Sequence, residues 1–345
     1  MSGSSAGPSD APPRATLADV ARLAGVSSKT VSRVMTGDTN VSPHTRERVM
    51  LASKRLRFRP NDLARNLRRG GVSNTVAFVI GDIRNPFYFN VAAGVEKELA
   101  KHGLTMLLAS TEDAPQSEAG VVDALLSQRV RALLIVPVAD DQSYLEGESQ
   151  LGTPVICVDR PAHNLVADSV VLQNRIGTAD AVRSLISSGH RKIGFICSPA
   201  GLYTHQERLA GFREALFEAG ITDPSRYERV GDTDGPTAEE SVRDLMSMDD
   251  PPTAIIGGNN RASAGVVREL FMEDRRVAFI GFDDFVLADA LHVSVVAYDP
   301  IEMGRRAAQL ALSRIDNPSA PPQHVEIPTT LIARGSGEIP AADVP

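Results

Sequence analysis

Residues 16–35 read Thr-Leu-Ala-Asp-Val-Ala-Arg-Leu-Ala-Gly-Val-Ser-Ser-Lys-Thr-Val-Ser-Arg-Val-Met, and this stretch predicts two short helices joined by a tight turn. Thr16 followed three residues later by Asp19 has the spacing of a capping box, which satisfies backbone N–H groups at a helix start. Gly25 is expected to end the first helix, because glycine adopts the left-handed conformation without a steric penalty. Ser27 is placed to cap the second helix. Two short helices that cross closely at a steep angle are what a helix-turn-helix requires.

The side chains of these helices divide into an inner and an outer face. We expect the inner face to hold Val20, Ala21, Leu23, Ala24, Val31 and Val34. The second helix turns outward Ser28, Lys29, Thr30, Ser32 and Arg33. Short hydroxyls and long cations suit base edges and phosphates better than a core. A third helix is predicted to begin at Ser42-Pro43 and to run towards Leu56. On spacing alone, an ordinary three-helix bundle with a charged surface remains an alternative.

Charge is distributed unevenly along the chain. Residues 16–70 contain 12 Lys+Arg and 4 Asp+Glu, a net charge of +8, whereas residues 71–345 carry −15, within a total of −7. A compact basic head on an acidic body is typical of a nucleic-acid-binding module fused to another domain. Residues 1–14 lack an apolar core, so we expect a disordered arm and no secretory signal.

The basic head resembles the LacI family of bacterial repressors. The matching motifs, in chain order, are Thr-Leu-Ala-Asp-Val-Ala (16–21), Ala-Gly-Val-Ser (24–27), Thr-Val-Ser-Arg-Val (30–34), Val-Ser-Pro (41–43), Thr-Arg-Glu-Arg-Val (45–49) and Arg-Pro-Asn (59–61). The resemblance implies that Ser28, Lys29 and Arg33 read bases in the major groove. It implies phosphate contacts from Thr16, Ser27, Ser32, Asn40, Ser42 and Thr45. The predicted DNA-binding set is completed by Leu17, Thr30, Asn61, Ala64 and Leu67.

Residues 60–71 are predicted to form a hinge helix that folds only when something packs on it, since about two helical turns are unstable alone in water. Leu63 and Leu67 lie on one face among cations. The resemblance assigns Leu67 to insertion between base pairs where two hinge helices meet across a dimer axis. A plain linker with incidental apolar residues is the alternative.

From Asn74 onward, apolar strand-like runs alternate with amphipathic helices. The first set of runs covers 75–80, 105–109, 132–136 and 155–158, and the second covers 169–172, 192–196, 254–257 and 277–280. This pattern predicts an α/β sensor of two doubly wound parallel sheets with a cleft between them. The body also resembles the family, whose sensor is similar to periplasmic sugar-binding proteins. We place it at 72–335, after a helix-turn-helix domain at 15–59. Its subdomain boundary is expected near 172, with crossovers near 298 and 328, and a disordered tail at 336–345.

Ligands of open α/β sheets bind at the carboxyl ends of strands. The residues that follow the predicted strands, together with one crossing segment, give the candidate effector site: Asn85, Phe87, Tyr88, Asp159, Thr204, Arg208, Asn259, Asp283 and Tyr298. The resemblance carries effector contacts onto Asp159, Arg208, Asn259 and Asp283. Each residue alone also has an ordinary structural explanation, such as a turn at Asn85-Pro86. Where many relatives have Asn-Asp, this chain has Asn259-Asn260-Arg261.

The expected function is therefore a cytoplasmic, homodimeric or tetrameric repressor that binds pseudo-palindromic operator DNA and responds to a sugar or a nucleoside- or purine-like effector. A periplasmic solute-binding protein is disfavoured by the basic head. An enzyme is disfavoured because the sequence lacks phosphate-cradling, nucleophile-elbow and zinc-protease motifs. Seven scattered histidines give no metal-ligand spacing, so no metal and no cofactor are expected. Cys157 and Cys197 lie in apolar runs and are predicted to be buried free thiols.

Overall fold

A computed structural model of the chain describes residues 15–58, 73–197, 201–231, 236–272 and 276–341. The predicted arm at 1–14 and the predicted hinge helix at 60–71, with Asn61, Ala64 and Leu67, lie outside the described residues. The chain divides into two units, Met1–Ser73 and Asn74–Pro345.

The first unit contains three helices, α1 (Leu17–Ala24), α2 (Ser28–Met35) and α3 (Pro43–Arg55). Their core is formed by small apolar side chains: Val20, Ala21, Ala24, Val31, Val34, Val49 and Ala52. Leu23, predicted for this core, is 45% exposed instead. The buried residues of α1 follow a spacing of three and four, and Leu23 falls outside that stripe.

The second unit contains two six-stranded sheets. The strands are β1 (Thr75–Ile80), β2 (Thr105–Ser110), β3 (Leu133–Ile135), β4 (Val155–Val158), β5 (Asp168–Leu172), β6 (Ile193–Cys197), β7 (Glu228–Val230), β8 (Ala254–Gly257), β9 (Ala278–Phe282), β10 (Ser294–Ala297), β11 (His324–Ile327) and β12 (Thr330–Ile332). The helices are α4 (Pro86–Ala100), α5 (Pro115–Leu126), α6 (Glu146–Gln150), α7 (Asn174–Ser187), α8 (Tyr203–Glu218), α9 (Pro236–Met246), α10 (Asn260–Met272) and α11 (Pro300–Asp316).

The sheets have matching topology, with strand orders β11-β5-β4-β3-β1-β2 and β12-β10-β9-β8-β6-β7. Every pairing is parallel except that between β10 and β12. We call the first sheet with its helices the first subdomain and the other the second subdomain. The run 169–172, grouped with the second set in the sequence, belongs to the first sheet as β5, where it pairs with β4. The chain therefore crosses between subdomains after Leu172, near Tyr298 and near Pro328.

Glycines allow the helices of each subdomain to touch backbone to backbone. A Cβ on Gly304 of α11 would lie 1.9 Å from the Val91 carbonyl oxygen of α4. In the second subdomain, a Cβ on Gly211 of α8 would lie 2.1 Å from the Arg175 carbonyl oxygen of α7. These close crossings fix α4 and α8, whose N-termini lie at the carboxyl edges of the sheets.

The C-terminal segment differs from its prediction as a disordered tail. Residues 336–341 lie against the second subdomain, where the Ser336 hydroxyl donates to the Phe279 carbonyl at 2.5 Å. The Ile339 carbonyl is 2.8 Å from Nε2 of the buried His190. These residues read Ser-Gly-Glu-Ile-Pro-Ala, with a single large aliphatic side chain, so their sequence carries no strand or helix signal, although their hydrogen bonds are specific.

Candidate functional site

The exposed face of α2 carries the side chains predicted to read DNA bases. Ser28, Lys29 and Arg33 are all exposed, and they project from a helix whose other face is buried through Val31 and Val34. Arg33 lies 3.6 Å from Asp38, with more than half of its side chain exposed. An exposed pair of this kind contributes little to stability, so the guanidinium is available for a stronger partner.

Three of the predicted phosphate-binding hydroxyls also cap helices. Thr16 and Asp19 form the expected capping box at α1, and hydrogen bonds from Thr16 lower the pKa of Asp19. Ser27 Oγ accepts from the Thr30 N–H at 3.1 Å. Ser42 Oγ accepts from the Thr45 N–H and donates to Thr45 Oγ1 at 2.9 Å, which leaves the Thr45 hydroxyl hydrogen directed elsewhere.

The remaining predicted positions of the head lie on α1, on α2 and in the α2–α3 loop. Asn40 is exposed in that loop, where its N–H donates to Asp38. Leu17, Thr30 and Ser32 are half-buried, and Leu17 packs against the core.

Two cations of α3 have structural roles that sequence reasoning missed. Arg48 donates to the carbonyls of Ala24 and Gly25, and so ties α3 to the end of α1. Arg46 donates to the Asp38 carbonyl in the loop after α2. Their charge still adds to the positive surface, but their positions are set by protein carbonyls.

In the second unit, a cavity of about 550 Å³ lies between the carboxyl edges of the two sheets. All nine predicted effector residues line it: Asn85, Phe87, Tyr88, Asp159, Thr204, Arg208, Asn259, Asp283 and Tyr298. The prediction from strand ends therefore selected residues that are up to 213 positions apart in the chain but line one cavity.

Asp159 and Asp283 occupy equivalent places in the two subdomains. Each directly follows a strand, β4 or β9, and each has a left-handed backbone, with φ of 69° and 73°. The Asp159 N–H donates to Val170 of β5, and the Asp283 N–H donates to Val296 of β10, at 2.8 and 3.0 Å. A non-glycine residue held at positive φ costs stability and is often found at functional sites.

Arg208 is a buried cation on the second-subdomain wall. Its Nε donates to Asn174 Oδ1 at 2.8 Å and its Nη1 to the Gly258 carbonyl at 2.6 Å. The guanidinium lies over the Phe282 ring, 3.7 Å from the ring centroid. This stacking and the two hydrogen bonds hold the planar donor group in one orientation.

Asp283, also on this wall, accepts two hydrogen bonds. Its Oδ1 accepts from the Tyr298 hydroxyl at 2.6 Å, and its Oδ2 accepts from the Asn260 N–H at 3.0 Å. Burial and the neighbouring Asp283 raise the pKa of Tyr298 well above its usual value, so the phenol remains a donor at all ordinary pH values. These two hydrogen bonds fix the orientation of the Asp283 carboxylate, which lines the cavity.

Arg160, on the first-subdomain wall, is bound to protein groups. It donates to Asp159 at 3.3 Å, to the Pro137 carbonyl at 3.2 Å and to the Tyr88 hydroxyl at 3.1 Å. Burial raises the pKa of Asp159, and the neighbouring arginines oppose that effect. The first wall thus presents an aspartate already paired with its own neighbour.

Two contacts cross the cavity and join the subdomains. Arg261, at the start of α10, forms an ion pair with Asp82, which follows β1. Asn260 Nδ2 donates to Asn85 Oδ1 at 2.8 Å. Burial acts to raise the pKa of Asp82, but hydrogen bonds from Arg84 and Arg261 outweigh it and lower that pKa to about 2. Asp82 was not predicted, although the unusual Arg261 was noted in the sequence.

The described residues contain no group of three or more His, Cys, Asp and Glu side chains arranged to hold a metal ion. Within the same ranges, no helix combines the length and apolarity needed to span a membrane. Cys157 and Cys197 are both buried, and neither forms a disulfide bond.

Comparison with known proteins gives consistent matches over most of the chain. A family model for bacterial regulatory proteins of the lacI family matches residues 16–61, and one for a periplasmic binding protein-like domain matches residues 182–337. The chain is 31% identical over 329 residues to the ribose operon repressor of Escherichia coli (strain K12), covering 93% of this chain and 99% of that protein.

Two solved structures extend the match to three dimensions. A transcriptional regulator CelR–cellobiose complex is 30% identical, with a TM-score of 0.69, and the match covers 94% of this chain and 100% of that one. The lac repressor dimer bound to operator and the anti-inducer ONPF has a TM-score of 0.83 at 24% identity, covering 94% of this chain and 99% of that one. At this identity, the second likeness supports the fold alone.

Proposed function

The chain belongs to the LacI family of bacterial transcriptional regulators, as the motifs of its basic head indicated, and from this premise we propose that it is a homodimeric repressor controlled by a small polar effector. The observation that carries the proposal is that all nine predicted effector residues line one cavity of about 550 Å³. This volume is within the range of roughly 300–1,000 Å³ that is typical of small-molecule sites.

The chemistry of the cavity favours a ring-shaped, polyhydroxylated effector, a sugar or a nucleoside. Asp159 and Asp283 supply acceptors on opposite walls, and Arg208 supplies donors. Phe87 and Tyr298 meet edge to face with ring centroids 5.8 Å apart, and they form an apolar side against which a sugar ring can lie. Relatives are named for ribose, and a solved neighbour for cellobiose, which agrees with this class.

On DNA, we expect one recognition helix of each protomer to enter the major groove of a half-site. Ser28, Lys29 and Arg33 would contact base edges, and the hydroxyls at the helix N-termini would contact phosphates. A two-fold dimer requires a self-complementary face. We place this face along α4, near residues 87–99, where Phe89 is 51% exposed.

The mechanism follows from differential binding. An effector that contacts both walls binds the closed cavity better than an open one, and it can shift DNA affinity only through that difference. A coupling of about 1–3 kcal/mol changes operator affinity about 5- to 150-fold. A fall in operator affinity on effector binding identifies an inducer, and a rise identifies a corepressor.

The test uses the full-length protein. DNA selected from random pools should show a pseudo-palindromic consensus, and a panel of sugars and nucleosides should contain a compound that shifts operator affinity, measured by fluorescence anisotropy at fixed salt. Selection without a consensus would refute sequence-specific binding. A consensus whose affinity no compound changes would refute the effector.

Two variant pairs assign the surfaces. Arg33→Ala should weaken consensus binding by about 1–3 kcal/mol, whereas Arg22→Ala, which removes an exposed cation from α1, should have a smaller effect. Arg208→Met should abolish the effector response and preserve DNA binding. Its control is Arg213→Met, on the same helix, which removes an ion pair with Glu228 outside the cavity.

A further inference from the structure

The N-terminus of α8 opens onto the effector cavity without a capping side chain. The helix begins at Tyr203, and the preceding Leu202 offers no hydrogen-bond acceptor in its side chain. Leu202, Tyr203, Thr204 and His205 all line the cavity. The first N–H groups of a helix lack intrahelical partners, and together with the helix dipole they favour a negatively charged group.

His205, in the first turn of α8, is a second and independent sign of a missing partner. It is 1% exposed, and neither Nδ1 nor Nε2 has a hydrogen-bond partner. Burying an unpaired polar group is destabilising, so such groups are rare unless a ligand or water completes them. Burial, reinforced by the charge of Arg208, lowers the pKa of His205. The neutral ring then offers one donor and one acceptor.

Arg208 brings a full positive charge to the same wall. It lies three residues after His205, and so on the same side of α8. Its guanidinium is fixed by Asn174 and Gly258, and the nearby Asp283 already accepts from Tyr298 and Asn260. A helix N-terminus, an unpartnered imidazole and an oriented guanidinium within one helical turn are suited to oxygen atoms that carry negative charge.

We propose that the effector carries an anionic oxygen group, a phosphate ester or a carboxylate on a polyhydroxylated body, and that this group binds at the α8 N-terminus beside His205 and Arg208. The hydroxyl groups of the ligand then face Asp159 and Asp283. This inference rests on the proposed function, because it specifies the ligand of the same cavity.

The test compares neutral and charged partners of one skeleton on the full-length protein. D-Ribose is paired with ribose 5-phosphate, and D-glucose with glucose 6-phosphate and D-glucuronate, while inorganic phosphate serves as the isolated group. Calorimetric titration should show at least one anionic compound binding about tenfold or more tightly than its neutral partner. That compound should also shift operator affinity.

Variants of His205 separate a ligand contact from a structural role. His205→Phe keeps a ring beside Phe195, whose centroid lies 6.3 Å from the imidazole, but removes both nitrogens. This substitution should weaken binding of the anionic compound about tenfold and binding of the neutral compound less than twofold. His205→Gln retains a donor and an acceptor and should recover part of the affinity. His102→Phe, at an exposed position outside the cavity, is the control and should change neither.

The outcomes distinguish this inference from the function on which it rests. Equal affinity for neutral and anionic partners, or equal losses for both in His205→Phe, overturns the anionic subsite. If a neutral sugar shifts operator affinity and no anionic compound does, the subsite is wrong and the repressor function stands. If no compound of either kind binds or shifts operator affinity, both are wrong.

Discussion

Replacing Arg261 with methionine should weaken effector binding, because it removes the ion pair that joins the two subdomains across the cavity. Asp82 belongs to the first subdomain and has a side chain only 1% exposed, whereas Arg261 belongs to the second and is 30% exposed. Arg84, in the same loop as Asp82, also binds that carboxylate, at 3.1 Å. The substitution therefore removes one of two cationic partners and leaves the buried carboxylate paired.

The size of the effect follows from this geometry. Losing the only partner of a buried charge costs about 3–5 kcal/mol, and losing an exposed pair costs about 0–1 kcal/mol. Because Arg84 is retained, we expect Arg261→Met to cost about 1–2 kcal/mol. This cost applies only to the closed form, in which the pair of Arg261 with Asp82 exists. Since about 1.4 kcal/mol is a tenfold change, effector affinity should fall about 5- to 30-fold.

The pH dependence of this contribution has a defined sign. The pKa of Asp82 is lowered to about 2 from an ordinary value of 3.8. The structure in which the pKa of a carboxyl group is lowered gains stability at pH values above the ordinary pKa. This stabilisation is lost as the pH falls through about 2. The ion pair should therefore contribute equally between pH 5 and pH 8, and any change of affinity in that range must come from other groups.

The assay is calorimetric titration of the full-length protein with the effector found by the panel. Arg268→Met is the matched control, since Arg268 carries the same charge on α10 but pairs with Glu239 inside the second subdomain. In an Asp82→Asn background, Arg261→Met should have a much smaller effect. Equal losses at Arg261 and Arg268, or an undiminished loss in the Asp82→Asn background, would show that this pair does not control closure.

Three further predictions concern stability and reactivity. Gly304→Ala should lower the melting temperature strongly, since its Cβ would lie 1.9 Å from a backbone carbonyl of α4, whereas Gly120→Ala, with open space around it, should be neutral or stabilising. Cys157, whose pKa burial raises to about 12, should resist iodoacetamide at pH 8 until the protein is denatured; rapid labelling of the native thiol would contradict this. Glu118→Gln should lower the free energy of unfolding in urea by about 1–3 kcal/mol, because the buried carboxylate accepts four hydrogen bonds. An unchanged unfolding midpoint would contradict the charge-assisted role of these bonds.

The helices of the head could be predicted from sequence because local chemistry specifies their ends. Thr16, Ser27 and Ser42 each cap the helix that they were expected to cap, and Gly25 adopts the predicted left-handed conformation, with φ of 63°. Leu23 was misplaced because apolar character alone does not separate the stripe from its flank. The carbonyl contacts of Arg48 depend on how α3 crosses α1, which no local pattern encodes.

In the sensor, the eight strongest strands could be predicted, while four short ones were missed. Strands β7, β10, β11 and β12 have three or four residues each. Runs of that length carry little periodicity. Strands β3, β4 and β8 are equally short, but they lie in continuous apolar runs, whereas Glu228, Arg229 and Glu326 interrupt β7 and β11. The site residues were predicted because position after a strand is a one-dimensional signal, whereas the partner of Arg261 was not, because that contact exists only when two subdomains meet.

The two walls of the cavity are related by topology but not by chemistry, and this difference constrains the ligand. Asp159 and Asp283 are equivalent in strand position and backbone conformation. The residue after Asp159 is Arg160, which turns back onto that carboxylate, whereas Asp284 points away to Arg334. The second wall instead receives its cation from Arg208 of α8, which is stacked on Phe282 and donates to Asn174 Oδ1 and the Gly258 carbonyl. The charge of Asp159 is therefore neutralised within the first wall, whereas the second wall keeps its donor, Arg208, apart from its acceptor, Asp283. A ligand that spans the cavity accordingly has one preferred orientation rather than two.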